Sequence, residues 1–408
     1  MIEEQLKLAK QACRKMQIVD QDTKIEALKA ISQNLLNNID YIIGENKKDI
    51  ANAKNNGISD AMIDRLLLNE QRVKSIADDV LKVANLPDCI GEVIQEIKRP
   101  NGLVIKQIRI PIGVVAVVYE SRPNVTVDIA SICIKTNNVS VLKGGKEAIN
   151  SNLALVKVIN EAIKDILPEN VVNLIENNDR SIVTEVITAN DYVDVIIPRG
   201  GAGLIQHVVN NATVPVIETG AGICHLYVDK DANLDMAVKI AVNAKISRPS
   251  VCNAIETILV HQDIAKDFLT LLKPEFTNIK IFGDQIALQY LDGQLATDAN
   301  YASEYDDYIC NIKVVKNIDE AIEHIYNYST KHSESIITEN QETANYFIDS
   351  LDSACVYHNA STRFTDGGEF GFGAEVGIST QKLHARGPIG LKEMTSTKYV
   401  IYGNGQIR

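Results

Sequence analysis

Cys252 has the strongest claim to chemistry in this chain. It follows Arg248, Pro249 and Ser250, precedes Asn253, and stands between a polar run and an apolar one. A thiolate is a strong nucleophile, but a free thiol ionises only near about pH 8.5, so a reactive cysteine needs exposure and positive surroundings. Arg248 is the nearest positive charge in the sequence. Taken alone, such a cysteine also reads as a small apolar core residue. Glu218 lies 34 residues earlier (252 − 218), at the end of an apolar run and just before Gly220 and Gly222. A carboxylate there can act as a base or position a water, though by itself it equally suits a surface or a helix cap. Gly200, Gly201 and Gly203 follow the apolar run 193–198 and open a helical pattern. Glycines let another group approach the backbone closely, and a helix N-terminus offers N–H groups to a phosphate. The spacing is not GxGxxG, so a plain strand-to-helix turn fits as well. Lys143 closes the run 139–143, and Lys146 follows it after two glycines. A dinucleotide fold commonly places an acid near the end of its second strand to hold ribose hydroxyls. Positive charge there suits a 2′-phosphate, or marks two solvated lysines.

Elements must position these residues. The first 90 or so residues carry helical spacing, with Thr23 and Glu26 at capping-box separation and a break at Asn56-Gly57. From residue 100 the pattern changes. Residues 102–111 alternate as a half-exposed strand does. Residues 112–120 form a continuous apolar run suited to a strand buried on both faces. Similar runs at 139–143, 171–176, 193–198 and 214–218 alternate with helical segments at 124–136, 146–166, 180–190 and 201–210. That alternation predicts an α/β fold with a parallel sheet, which takes ligands outside the carboxyl ends of its strands. A second α/β region spans about 225–395, with apolar runs at 224–228, 255–260, 312–315, 335–338 and 354–358. The tail alternates again around Tyr399 and Ile401. The strands at 102–111 and in the tail are expected to meet each other across a subunit interface.

Composition narrows the class. At 408 residues the chain exceeds the roughly 250–300 that one core supports, so two or more domains are expected. A net charge of −12 and the lack of a basic run disfavour nucleic acid as a partner. Seven cysteines without a CxxC argue against a disulfide framework or a structural zinc, and no metal site is expected. No apolar run is long enough to span a membrane, the N-terminus is unlike a signal peptide, and a cytoplasmic setting is expected. The sequence contains neither HExxH nor GxSxG. Cys224 is followed by His225, but it opens a run that reads as buried and ranks below Cys252.

Taken in order, Arg122-Pro123-Asn124, Lys143, Gly200–Gly203, Glu218-Thr219-Gly220-Ala221 and Cys252 resemble the aldehyde dehydrogenase superfamily. Val315, Ala321, His324, Tyr328, His332 and Ile336, together with residues 362–391, are closest to its γ-glutamyl phosphate reductase family. The resemblance covers essentially the whole chain. It implies an aldehyde dehydrogenase-like fold with a Rossmann-like parallel-sheet cofactor domain (1–101 and 113–223), an α/β catalytic domain (224–396) and small oligomerisation strands (102–112 and 397–408). It also implies NADPH-dependent reduction of L-glutamyl 5-phosphate to L-glutamate 5-semialdehyde in proline biosynthesis, with phosphate released through a cysteine thioacyl intermediate. Cys252 would be the nucleophile, Asn124 an oxyanion donor, and Glu218 an aid to proton transfer. Lys143, Lys146 and Gly200, Gly201 and Gly203 would hold NADPH or NADP, and Glu304 its nicotinamide ribose, although the family's usual motif around that glutamate is absent. Arg122, Arg248, Lys382, His384 and Arg386 are the basic candidates for the substrate's phosphate and α-carboxylate. A homo-oligomer and a glutamate 5-kinase partner also follow from the resemblance. Two other readings share the fold: a hydrolytic aldehyde dehydrogenase, which would not need phosphate, and a non-catalytic nucleotide-binding protein, which would be indifferent to loss of Cys252.

Overall fold

Apolar residues at helical spacing build the N-terminal region. The computed structural model describes residues 2–58, 60–177 and 179–408, and its first helices are Ile2–Met16, Gln21–Asn37, Ile39–Asn55, Asp60–Leu66 and Glu70–Asn85. The second starts earlier than the Thr23/Glu26 spacing suggests. Asp20 is the cap, its carboxylate accepting the Thr23 N–H at 2.8 Å, so Thr23 lies inside the first turn. The break at Asn56-Gly57 is real: Gly57 has φ +68°, a left-handed turn that glycine adopts without penalty.

The backbone forms two compact units. One comprises residues 1–219, 371–377 and 389–408, the other 220–370 and 378–388. The expected boundary at 223/224 thus falls at 219/220, and residues 371–377 and 389–396 pack with the first unit rather than the second.

The first unit holds a parallel sheet in the order Val172–Leu174, Val139–Gly144, Val114–Tyr119, Val195–Arg199. The middle strands are buried on both faces, as their unbroken apolar runs require. Strand order reverses at Val114–Tyr119, so the loops after it and after Val195–Arg199 flank the crevice where such sheets take ligands. The run 214–218 does not become a full strand. It makes one isolated parallel bridge, Val216 to Ile196, because Pro215 has no N–H to give a ladder.

A separate antiparallel sheet pairs Val93–Lys98, Val104–Pro111 and Thr395–Tyr402. The alternating strands expected to meet across subunits therefore pair within one chain, from Pro111 opposite Thr395 to Val104 opposite Tyr402. Val93–Lys98, too polar and exposed to signal itself, forms the third strand.

The second unit is built on a seven-stranded parallel sheet. Its order is Gln294–Leu295, Lys280–Gly283, Ile309–Val315, Ile255–His261, Cys224–Val228, Ser333–Ile337, Cys355–His358. Its core includes Leu226, Ile258, Phe268 and Ile312. Lys245 and Glu256, both buried, pair at 2.7 Å between the helix Leu234–Ile246 and its sheet. Burial pushes the Glu256 carboxyl up to about 7 despite the lysine. Among the described residues no helix is long and apolar enough to cross a membrane.

Candidate active site

In the first unit the candidate residues collect at the carboxyl ends of the strands. Val114–Tyr119 leads through Glu120 and Ser121 to the helix Asn124–Lys135. Arg122 is exposed and Asn124 is half-buried on the first turn. The Asn124 Nδ2 donates to Asp128 Oδ2 at 2.9 Å, one turn along the same face. That bond fixes the carboxamide while leaving its second N–H for another acceptor. Lys143 ends its strand buried, its Nζ donating to the Gly144 carbonyl at 2.8 Å. Burial lowers its pKa, with Glu147 opposing. Lys146 is exposed on the short turn Lys146–Ala148. Next to it, Glu147 accepts the Ser121 N–H and Oγ–H, both at 2.8 Å. The charge at this strand end is therefore mixed, not simply positive.

Gly200, Gly201 and Gly203 are exposed at the start of the helix Ala202–Asn211. A side chain at 200 would strike the Glu120 carboxylate and Leu204, while at 203 nothing of the protein would oppose it. Glu120 Oε2 accepts the Gly201 N–H at 2.8 Å, so one helix-end donor already has an internal carboxylate. Glu218 is half-buried on the extended segment beside Val195–Arg199. Its neighbour Thr219 donates its hydroxyl to the Pro198 carbonyl at 2.5 Å.

In the second unit the candidates lie at the amino ends of the strands, against the carboxyl-end expectation. Cys252 is half-buried on the turn before Ile255–His261, and the other six cysteines are buried. Burial raises the pKa of all six thiols, those of Cys133 and Cys310 to about 12. Cys224 is a structural partner: its Sγ donates to the Cys252 carbonyl at 3.2 Å. Gly222 packs so closely on that carbonyl that a Cβ would collide with it. The Gly222 N–H donates to Glu304 Oε1 at 2.6 Å, and burial raises the Glu304 pKa. Cys252 and Glu304, 52 residues apart in sequence (304 − 252), are thus linked through one glycine.

The turn is clamped from its other side. Asn253 Nδ2 donates to the Thr365 carbonyl at 2.9 Å, and Thr362 Oγ1 donates to the Asn253 carbonyl at 2.6 Å. Arg363 donates to Asn253 Oδ1 and, through Nε, to Ser247 Oγ at 3.1 Å. Desolvation lowers the pKa of this guanidinium, followed by repulsion from Arg248, while Asp366 and Cys252 act in the opposite sense. Arg248 is exposed. Arg363 supplies positive charge of the kind a thiolate needs. His384 is exposed at φ +60°. Arg386 is committed locally, its Nη1 and Nη2 meeting the Asp352 carboxylate and carbonyl at 2.9 and 2.7 Å. Lys382 joins the same carboxylate at 2.9 Å. Those cations hold the Asp352 carboxyl down at about 2.

Sequence reasoning missed Asp128 and Arg363. The first was readable as the i+4 neighbour of Asn124 on a helix. The second lies 111 residues after Cys252 (363 − 252) and carries no local signal. The histidines at 324 and 332 are buried. His324 packs edge-on against Tyr301 and tilted against Tyr328, and His332 Nδ1 lies 2.8 Å from Ser333 Oγ.

A sequence model of the aldehyde dehydrogenase family matches residues 2–309. The chain is 55% identical over 405 residues to a γ-glutamyl phosphate reductase of Clostridium novyi, covering 98% of this chain and 97% of that one. It is 52% identical over 411 residues to one of Caldanaerobacter subterraneus, covering 100% and 99%. The crystal structure of a Thermotoga maritima γ-glutamyl phosphate reductase superposes with a TM-score of 0.98 at 46% identity, covering 100% and 99%.

Proposed function

The chain belongs to the aldehyde dehydrogenase family, among its γ-glutamyl phosphate reductases, and from that premise we propose that it reduces L-glutamyl 5-phosphate to L-glutamate 5-semialdehyde with release of phosphate, a step of proline biosynthesis. One observation carries the chemistry: of seven thiols, six are buried, and the remaining one, Cys252, stands on a turn held by Cys224, Asn253 and Gly222 within the field of Arg363.

The Cys252 thiolate attacks the acyl carbon, and the acyl–phosphate bond breaks with its electron pair leaving on phosphate. The resulting thioester is reduced at that carbon, and collapse of the thiohemiacetal returns the thiolate and frees the aldehyde. Each tetrahedral species carries an oxyanion, so the Asn124 carboxamide, oriented by Asp128, serves twice. No water has to be activated for deacylation, which leaves Glu218 a proton-transfer role.

A nicotinamide dinucleotide supplies the hydride when bound. The residues present fit such a group: the strand-order reversal, the exposed glycine turn at Gly200–Gly203, and Lys143 and Lys146 at the next strand end. The family resemblance, with Lys146 the exposed cation at that strand end, favours NADPH, and Glu304 is the candidate for the nicotinamide ribose. Arg122, Arg248 and His384 are the candidates to meet phosphate and α-carboxylate. Exposed Val93, Ile94, Tyr399 and Ile401 on the small sheet support a homo-oligomer. The lability of an acyl phosphate favours handover from a glutamate 5-kinase in the cytoplasm.

The forward reaction tests this reading. With glutamyl phosphate generated in situ, one phosphate is expected per NADPH oxidised, and free glutamate should give no oxidation. NADPH oxidation without stoichiometric phosphate release would overturn it, and equal turnover with NADH would remove the cofactor preference.

A further inference from the structure

A cavity of about 180 Å³ lies in the first unit, its lining including Asp79, Asp128, Ser131, Gly373 and Glu375. One water needs about 10–15 Å³ of such space, so there is room for the polar head of an amino acid. Its polar lining is one-sided in charge: three carboxylates and a hydroxyl. The helix Glu70–Asn85 brings Asp79, and the helix Asn124–Lys135 brings Asp128 and Ser131. The loop carrying Glu375 turns in at Gly373, whose φ of +75° and contact with Leu86 leave no room for a side chain.

Two observations point to a missing cationic partner. Ser131 is 1% exposed, and its Oγ has no hydrogen-bond partner. Such an orphaned buried hydroxyl is uncommon and calls for a ligand. Asp128 is the second. Burial pushes its carboxyl up to about 6, Asp79 adding to the effect and Asn124 and Arg199 opposing it. At neutral pH it is ionised yet poorly solvated, a condition a cation relieves. Asp79 itself is paired with Lys82 at 2.7 Å and half open to solvent, which leaves Asp128 the inner acid. Among the described residues no group of His, Cys, Asp or Glu is arranged to hold a metal ion, so an organic cation fits better.

The cavity adjoins Asn124 through the Asn124–Asp128 bond at 2.9 Å. If Asn124 meets the acyl oxygen, a group a few bonds farther along the substrate reaches Asp128. In a glutamyl chain that group is the α-nitrogen. We propose that this cavity receives the substrate's α-ammonium group on Asp128, Ser131 and Glu375, selecting an α-amino acid and keeping its nitrogen from attacking the acyl carbon. The proposal rests on the glutamyl phosphate reading above. The danger it averts is intrinsic to the substrate. A free α-amine can attack C5 of the thioacyl enzyme: a C5–N bond forms, the C5–S bond breaks with its electrons leaving on Cys252, and the nitrogen loses one proton to solvent. The product is a five-membered lactam, and the acyl group is lost. An ammonium held by carboxylates has no lone pair with which to begin.

The test compares phosphate-dependent oxidation by NADP of L-glutamate 5-semialdehyde and of its des-amino analogue, 5-oxopentanoate, in the full-length protein. Asp128→Asn is expected to cost both aldehydes some rate through Asn124, which Asp128 orients, and to lower kcat/KM for the amino aldehyde a further about 10- to 100-fold relative to the analogue, the effect of losing a charged hydrogen bond. Ser131→Ala, which does not touch Asn124, should show the same selectivity at about 3- to 10-fold. Without phosphate, the acylated Asp128→Asn enzyme should release lactam, detected by mass spectrometry, faster than the parent does. Equal losses on both aldehydes with unchanged lactam release would overturn the proposal, as would a parent enzyme that takes both aldehydes equally. Oxidation of either aldehyde that ignores phosphate would instead overturn the acyl-phosphate reading itself.

Discussion

Replacing Cys252 with alanine is expected to lower reductase kcat/KM by at least about 10⁴-fold, the scale on which covalent enzymes lose rate with their nucleophile. NADPH affinity should persist, because the candidate cofactor residues other than Glu304 lie in the other unit. The alternatives are poor. Cys224 is fully buried, and its thiol is spent on the Cys252 carbonyl. Its pKa is raised well above the ordinary thiol value by burial and then by Glu334. His332, whose Nδ1 is 3.6 Å from that sulfur, cannot activate it by charge, since burial lowers its own pKa to about 4. Because Cys252 is half-buried on a surface turn, alanine should cost stability little. Iodoacetamide should reproduce the loss, since exposure directs it to Cys252 before the six buried thiols. Activity above a hundredth of the parent's in Cys252→Ala would remove the covalent mechanism.

The second large effect is expected at Asn124. Asn124→Ala should lower kcat about 10²- to 10³-fold, as removal of one oxyanion donor does elsewhere, with little change in KM for NADPH. The donor acts on charge that exists only in the tetrahedral species, so the loss belongs to kcat rather than to ground-state binding. Asn124→Asp should be worse, because it sets a second carboxylate against Asp128 where negative charge must develop. A change confined to KM in steady-state kinetics would show that Asn124 binds substrate and does not stabilise the oxyanion.

Local pattern made much of this molecule legible, and its limits are physical. Runs such as 112–120 and 139–143 became buried parallel strands because an unbroken apolar run suits a sheet covered on both faces. The run 214–218 has the same apolar character but carries Pro215, and the missing N–H reduces it to one bridge. The strands Val104–Pro111 and Thr395–Tyr402 were visible singly, yet their pairing joins residues nearly 300 apart, and alternation does not say which chain supplies the neighbour. At the site, Cys252 could be singled out because its interval from Glu218 resembles that of the aldehyde dehydrogenase family. The clamp around it could not, because Thr362, Arg363 and Thr365 reach Asn253 only through packing of the second sheet. Likewise, the commitment of Arg386 and Lys382 to Asp352 is a tertiary fact that no count of basic residues contains.

The central claim is that a thioacyl enzyme on Cys252 awaits phosphate rather than water. Rapid mixing with L-glutamate 5-semialdehyde and NADP in phosphate-free buffer tests it most directly. A burst of one NADPH per active site should appear and then stall, and added phosphate should restart turnover. Steady NADPH production without phosphate, with free glutamate accumulating at the same rate, would contradict the account and mark the chain as a hydrolytic dehydrogenase.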